Sequence, residues 1–169
     1  HYRICGRDIT DALVDAKVLM LRTLLATNHV YRLDWLPNFI TIPGYITLSK
    51  ILLETISEEG IFPMDASSGV AAMLVESLVG TSSVRVLDMC CCPGGKLMSL
   101  VDSLSVESTL IGVDISSRRL ETCLSLLNRH LNRLVTTNSS SSCVNDNNSN
   151  QNSSIESNSP FPRTLVMQC

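Results

Sequence analysis

Aromatic side chains make up only 4% of the 169 residues, and the formal net charge is −3. A nucleic-acid-binding surface normally carries a clustered positive footprint, and none dominates this sequence. The basic residues that do gather, Arg118, Arg119, Arg129 and Arg133 in one stretch and Arg3, Arg7, Lys17 and Arg22 near the start, read at least as well as solvated helix faces. No apolar run of about eighteen residues occurs, so no membrane-spanning helix is expected. There are seven cysteines, but none has the CxxC spacing that turns two thiolates toward one zinc ion. Cys90, Cys91 and Cys92 are adjacent, and Cys5, Cys123, Cys143 and Cys169 are scattered. An odd number without a signal segment argues against a disulfide framework, so the expectation is free thiols in a reducing compartment and no metal. The N-x-S sequons at Asn138, Asn147 and Asn152 carry no weight without a secretory context.

The residues that do carry a signal are VRVLDMCCCPGGK at 84–96 and TLIGVD at 109–114. Val84, Val86 and Leu87 form a β-branched and aliphatic run of the kind buried on both faces of a parallel sheet. Pro93, Gly94 and Gly95 then turn the chain, and the glycines let backbone approach a ligand that a Cβ would hold away. About twenty residues later a second apolar strand ends in Asp114, where a nucleotide-binding βαβ unit places a carboxylate for ribose hydroxyls. Two rival loops fail on their residues. A P-loop needs Gly where Cys90 stands and Ser or Thr where Leu97 stands, and GxGxxG would need glycine at Cys90 and Cys92. What remains suits an adenosine-type cofactor without a pyrophosphate, which points to S-adenosylmethionine. The helix expected after Lys96, with Leu97, Leu100, Val101 and Leu104 apolar, would turn its free N–H groups toward a carboxylate such as the methionyl tail.

Elsewhere the apolar spacing predicts a helix over 8–26, packed through Leu13, Ala16, Met20 and Leu24 and capped by Asp8 or Asp11. Pro37 and Pro43 break the next segment into short strands and turns, with Trp35 either a packing anchor or a stacking platform. A helix over 48–58 should end at Gly60. Ile61 to Met64 is extended, and an apolar helix follows over Val70 to Leu78, with Asp65 either a cap alone or a contact to the segment before it. A further helix should run from Ser116 to about Arg133 with Leu120, Cys123, Leu124, Leu127 and Leu131 buried. Residues 136–159 are mostly Ser and Asn and are expected to be a disordered surface insertion. A strand resumes at Arg163 to Cys169. Ending in a strand without its helix, and beginning at His1, the chain reads as a fragment of a larger protein; a small domain with a terminal edge strand is the other reading.

VLDMCCCPGGK (86–96), GVDISSRRLETCLSLLNR (112–129) and FPMDASSG (62–69) resemble the NOL1/NOP2/Sun family of RNA cytosine-5 methyltransferases. The family loop reads LDxCAAPGGKT; Leu87, Asp88, Cys90, Pro93, Gly94, Gly95 and Lys96 match it, Cys91 and Cys92 replace its alanines, and Leu97 its threonine. Asp65, Ala66 and Ser67 match its Asp-x-Ser/Ala signature. The resemblance implies a Rossmann-like class I methyltransferase fold, truncated after the third strand and preceded by a small α+β segment. It implies an RNA-contacting unit over 1–60 and an S-adenosylmethionine-binding unit over 61–169. The implied cofactor residues are Cys90, Cys91, Cys92, Pro93, Gly94, Gly95, Lys96 and Asp114, and the implied partner is RNA, tRNA or rRNA foremost. The family's two catalytic cysteines lie beyond the third strand, so no residue here inherits a catalytic role, and the chain alone would be inactive. The alternatives are an inactive methyltransferase-like RNA-binding or scaffold module, or a methylase with another acceptor. The resemblance leaves nucleus, cytoplasm and mitochondrion open as compartments, and the oligomeric state unread.

Overall fold

A computed structural model of the chain describes residues 1–139 and 163–168. The first sheet is built by short connections. Strand β1 (Tyr2–Ile4) is followed by helix α1 (Asp11–Leu24), strands β2 (Tyr31–Arg32) and β3 (Phe39–Thr41), helix α2 (Lys50–Glu58) and strand β4 (Ile61–Pro63). These four strands pair antiparallel in the order β2-β3-β1-β4. Val14, Val18 and Leu21 of α1 pack with Ile4, Ile40, Ile56 and Ile61 into one core. The buried stripe of α1 is therefore not the expected one: Leu13 and Leu24 face solvent. Thr10 caps the helix, its hydroxyl accepting from the Leu13 N–H at 3.3 Å. Leu36, and not its neighbour Trp35, enters the core; Trp35 is 61% exposed.

The second sheet is parallel throughout. Helix α3 (Ala66–Val79) leads to strand β5 (Arg85–Asp88), helix α4 (Gly95–Ser103), strand β6 (Thr109–Asp114), helix α5 (Ser117–Ser139) and strand β7 (Arg163–Gln168). The strands lie in the order β5-β6-β7, with Val86 beside Leu110, Asp88 beside Gly112 and Asp114 beside Gln168. Leu110, Leu97, Leu100, Val101 and Leu104 join Leu120, Cys123, Leu127 and Leu134 in a second core. That core covers one face of the sheet. Leu87, on the other face of an edge strand, is 58% exposed, which corrects the expectation of a strand buried on both sides.

The expected Rossmann-like class I methyltransferase fold, truncated after its third strand and preceded by a small α+β segment, is corrected by this topology. The chain is an α/β fold with two separate sheets, and four of its seven described strands belong to the antiparallel one. β4, expected to open the cofactor unit, instead pairs antiparallel with β1, so α3 is not a crossover between parallel neighbours. The parallel strands follow chain order without the reversal that defines a doubly wound sheet. Only β2 and β3 are joined by a turn, around Pro37, which returns the chain antiparallel; β1 pairs with β3 and β4 across long connections, so those partners are set by tertiary pairing. Residues 136–139 of the insertion expected at 136–159 belong to α5, which continues to Ser139; residues 140–159 and Cys169 lie outside the described residues.

Candidate functional site

The C-terminal end of β5 is closed by its own side chains. Asp88 Oδ1 accepts from the Cys90 N–H at 3.1 Å and pairs with the Lys96 ammonium at 3.1 Å. Lys96 also donates to the Cys90 carbonyl at 2.6 Å. The aspartate at the strand end and the lysine in the first turn of α4 thus staple the loop between them. Gly94 makes the turn, at φ +114°, a conformation that side chains resist. Asp88 Oδ2 is shielded from solvent and has no hydrogen-bond partner among the described residues, an acceptor left over at the strand end.

Beside this loop is a cavity of about 420 Å³. One wall comes from the parallel unit, with Cys91, Cys92, Pro93, Gly95 and Lys96, and the other from the antiparallel unit, with Tyr2, Pro63, Met64 and Asp65. A Cβ on Gly95 would stand 3.1 Å from Met64 Cγ. The glycine therefore keeps the two walls in close contact. Asp65 occupies the N-cap position of α3 but makes no capping bond, so its exposed carboxylate faces the cavity free of that task. Five of the eight residues proposed from the sequence line this space. Cys90, Gly94 and Asp114 do not.

Asp114 is otherwise engaged. Its Oδ1 accepts from the Ser116 N–H at 2.9 Å and from Arg119 Nη2 at 2.7 Å. The Ser116 bond, with the Arg119 charge and against the cost of burial, holds this carboxyl below the usual carboxylate range. The arrangement tests the cofactor's fit with a divided result. The start of α4 and the leftover Asp88 acceptor fit the polar tail of a nucleoside cofactor. The Asp114 carboxylate is ionised, as ribose binding would need, but its Oδ1 is shared between two donors.

Two groups escaped the sequence reading. Cys123 of α5 meets Cys91 and Cys92, the three sulfurs lying within 4.8 Å of one another. Burial, then the neighbouring sulfurs, push the Cys91 and Cys123 thiols up to about 11 and that of Cys92 to about 12. The second group is a polar cluster at the junction of the sheets. Asp102 of α4 holds Arg3 Nη1 at 2.7 Å and the Gly6 N–H at 2.9 Å through Oδ2, and His130 Nε2 at 2.7 Å through Oδ1. Burial would raise the Asp102 carboxyl, but the His130 hydrogen bond and the Arg3 charge prevail and lower it. The signal for His130 was its spacing: Leu120, Cys123, Leu127, His130 and Leu134 form the buried stripe, while Leu124 is 42% exposed.

Neither a protein-family model nor a curated protein matches the sequence. Among solved structures, the crystal structure of PH0851 matches with a TM-score of 0.56 at 16% identity, over 76% of this chain and 27% of that one. The chain thus spans about a quarter of the length of PH0851 (27%). At that identity the likeness is one of fold alone.

Proposed function

We propose that this chain is the cofactor-binding portion of an S-adenosylmethionine-dependent RNA cytosine-5 methyltransferase. The observation that carries the reading is the grouping, at the carboxyl end of the parallel sheet, of the Asp88–Lys96 stapled Pro-Gly-Gly loop, the start of α4 and the Asp114 end of β6. Ligands of parallel α/β sheets bind outside the carboxyl ends of the strands. When bound, the cofactor supplies an electrophilic methyl group. The free N–H groups at the start of α4 would take its carboxylate. Asp114 would take the ribose once Arg119, whose side chain is largely exposed, turns away.

The nucleophile would come from elsewhere in the full-length protein. Cys91 and Cys92, at about 11 and 12, are protonated at neutral pH, and covalent attack on a base requires thiolate. RNA, with tRNA or rRNA as the expected class, would be gripped largely by surface outside this chain, whose own charge is −3. A scaffold module without cofactor is the second reading, favoured by the engagement of Asp114 and its absence from the cavity wall.

A ligand that binds only the folded chain stabilises it, by about 2.7 kcal/mol at a hundred times its Kd. Denaturation with S-adenosylhomocysteine, adenosine or NAD added separately distinguishes the readings. The cofactor reading expects a shift with S-adenosylhomocysteine, a smaller one with adenosine and none with NAD. Equal melting in all three would reject it in favour of the scaffold.

A further inference from the structure

Behind the loop, Cys91, Cys92 and Cys123 bring three thiols together from two elements that are about thirty residues apart in sequence. Cys91 Sγ and Cys92 Sγ are 3.9 Å apart, and all three sulfurs lie within 4.8 Å of one another. An ion bound to three sulfurs at about 2.3 Å in a trigonal array would set them about 4.0 Å apart, so the group has less than an ångström to close. Glycines make room for it. A Cβ on Gly94 would stand 3.1 Å from Cys123 Sγ, and one on Gly112 would stand 2.9 Å from Cys91 Cβ and 3.1 Å from its sulfur. Among the described residues no histidine joins the group, and the Asp114 carboxylate touches it from outside, hydrogen-bonded to Cys92. A donor set of sulfur alone selects soft cations over magnesium, calcium or manganese.

We propose that Cys91, Cys92 and Cys123 form a three-sulfur site for a thiophilic d10 cation. Cu(I) would be held by the three sulfurs alone. Zn(II) would add a water from the cavity, reached past the half-buried Cys92. Loading replaces thiol protons with the ion: each coordinated thiol releases one proton and no electron is transferred, so binding tightens as pH rises. The ion would tie the loop after β5 to α5, a cross-link independent of whether a nucleoside occupies the cavity.

The test uses the full chain carrying Cys143→Ser and Cys169→Ser, kept reduced and anaerobic. It is titrated with Cu(I) against bathocuproine disulfonate and, separately, with Zn(II) against a chromophoric chelator. The expected result is one ion per chain, with X-ray absorption reporting three sulfur neighbours. A light-atom neighbour in addition marks Zn(II), and its absence Cu(I). Cys92→Ser and Cys123→Ser should each weaken binding by about a hundredfold or more, and Cys90→Ser, exposed and outside the group, should leave it unchanged. Circular dichroism checks folding; because Cys123 is fully buried, the half-buried Cys92 supplies the variant that keeps the test decisive. Failure of the folded chain to hold either ion against the chelator, or binding indifferent to Cys92→Ser, would overturn the proposal.

Discussion

Asp102 is the residue on which the junction of the two sheets depends. It is buried between a guanidinium and an imidazole, and a carboxylate in that position offsets its desolvation only while both partners remain. Asp102→Asn leaves Arg3 in a buried place without its counter-charge. The expected cost is about 3–5 kcal/mol, read as a lowered urea midpoint. The same residue sets an acid limit. Because its folded pKa lies below the ordinary 3.8, the unfolded chain takes up the proton first. The stabilisation is complete well above that value and is lost as pH falls through it toward the folded pKa. The fall in stability below about pH 4 should be less steep in Asp102→Asn than in the natural sequence, as urea titrations at successive pH values would record. At this scale the sequence was partly readable: the loop residues announced themselves, but Asp102 and His130 were disguised as solvent-facing positions among apolar neighbours. Only the period of α5, which passes through His130 and bypasses Leu124, marked the histidine as buried.

Among the elements, α3 shows how close packing replaces a cap. Gly69 lies in its first turn, and a Cβ there would stand 2.4 Å from Phe39 Cζ and 3.1 Å from a Leu36 methyl carbon. The helix rests directly on the ring. Gly69→Ala should therefore destabilise the chain, despite alanine's better helix propensity, by about 1–3 kcal/mol, measured by thermal or urea unfolding. In α1 the cap matters more: Thr10→Ala removes the acceptor for the Leu13 N–H and should cost about 1 kcal/mol, seen in the same measurement. Helix positions followed from periodicity, but rotation did not. In α1 the apolar residues cover so much of the circumference that Leu13, Ala16 and Leu24 were as plausible a stripe as the buried Val14, Val18 and Leu21. Strand β5 misled differently. Its aliphatic run is the signature of a strand covered on both faces, yet the core covers only the face that carries Val86.

For the molecule as a whole, the division into two sheets was the feature least visible beforehand. Nothing in Ile61–Pro63 distinguishes a strand that opens a parallel unit from one that closes an antiparallel sheet, because register and partner are set by tertiary pairing with Tyr2–Ile4. The loop from Asp88 to Lys96 could be read because its glycines, proline and charges act within a few residues of one another. The cavity could not, since half its wall comes from Tyr2, Met64 and Asp65. The central proposal is that a nucleoside cofactor binds at the carboxyl end of the parallel sheet, between the loop after β5 and Asp114. Its most direct test is isothermal titration with S-adenosylhomocysteine of the natural chain, Gly94→Ala and Asp114→Ala, each shown to be folded. The natural chain should show saturable binding in the micromolar range. Gly94→Ala, which forces a side chain at φ +114° against Cys123, and Asp114→Ala should both lose it. Absence of saturable heat from the folded natural chain, or binding unchanged in both variants, would rule out a nucleoside cofactor at this sheet end.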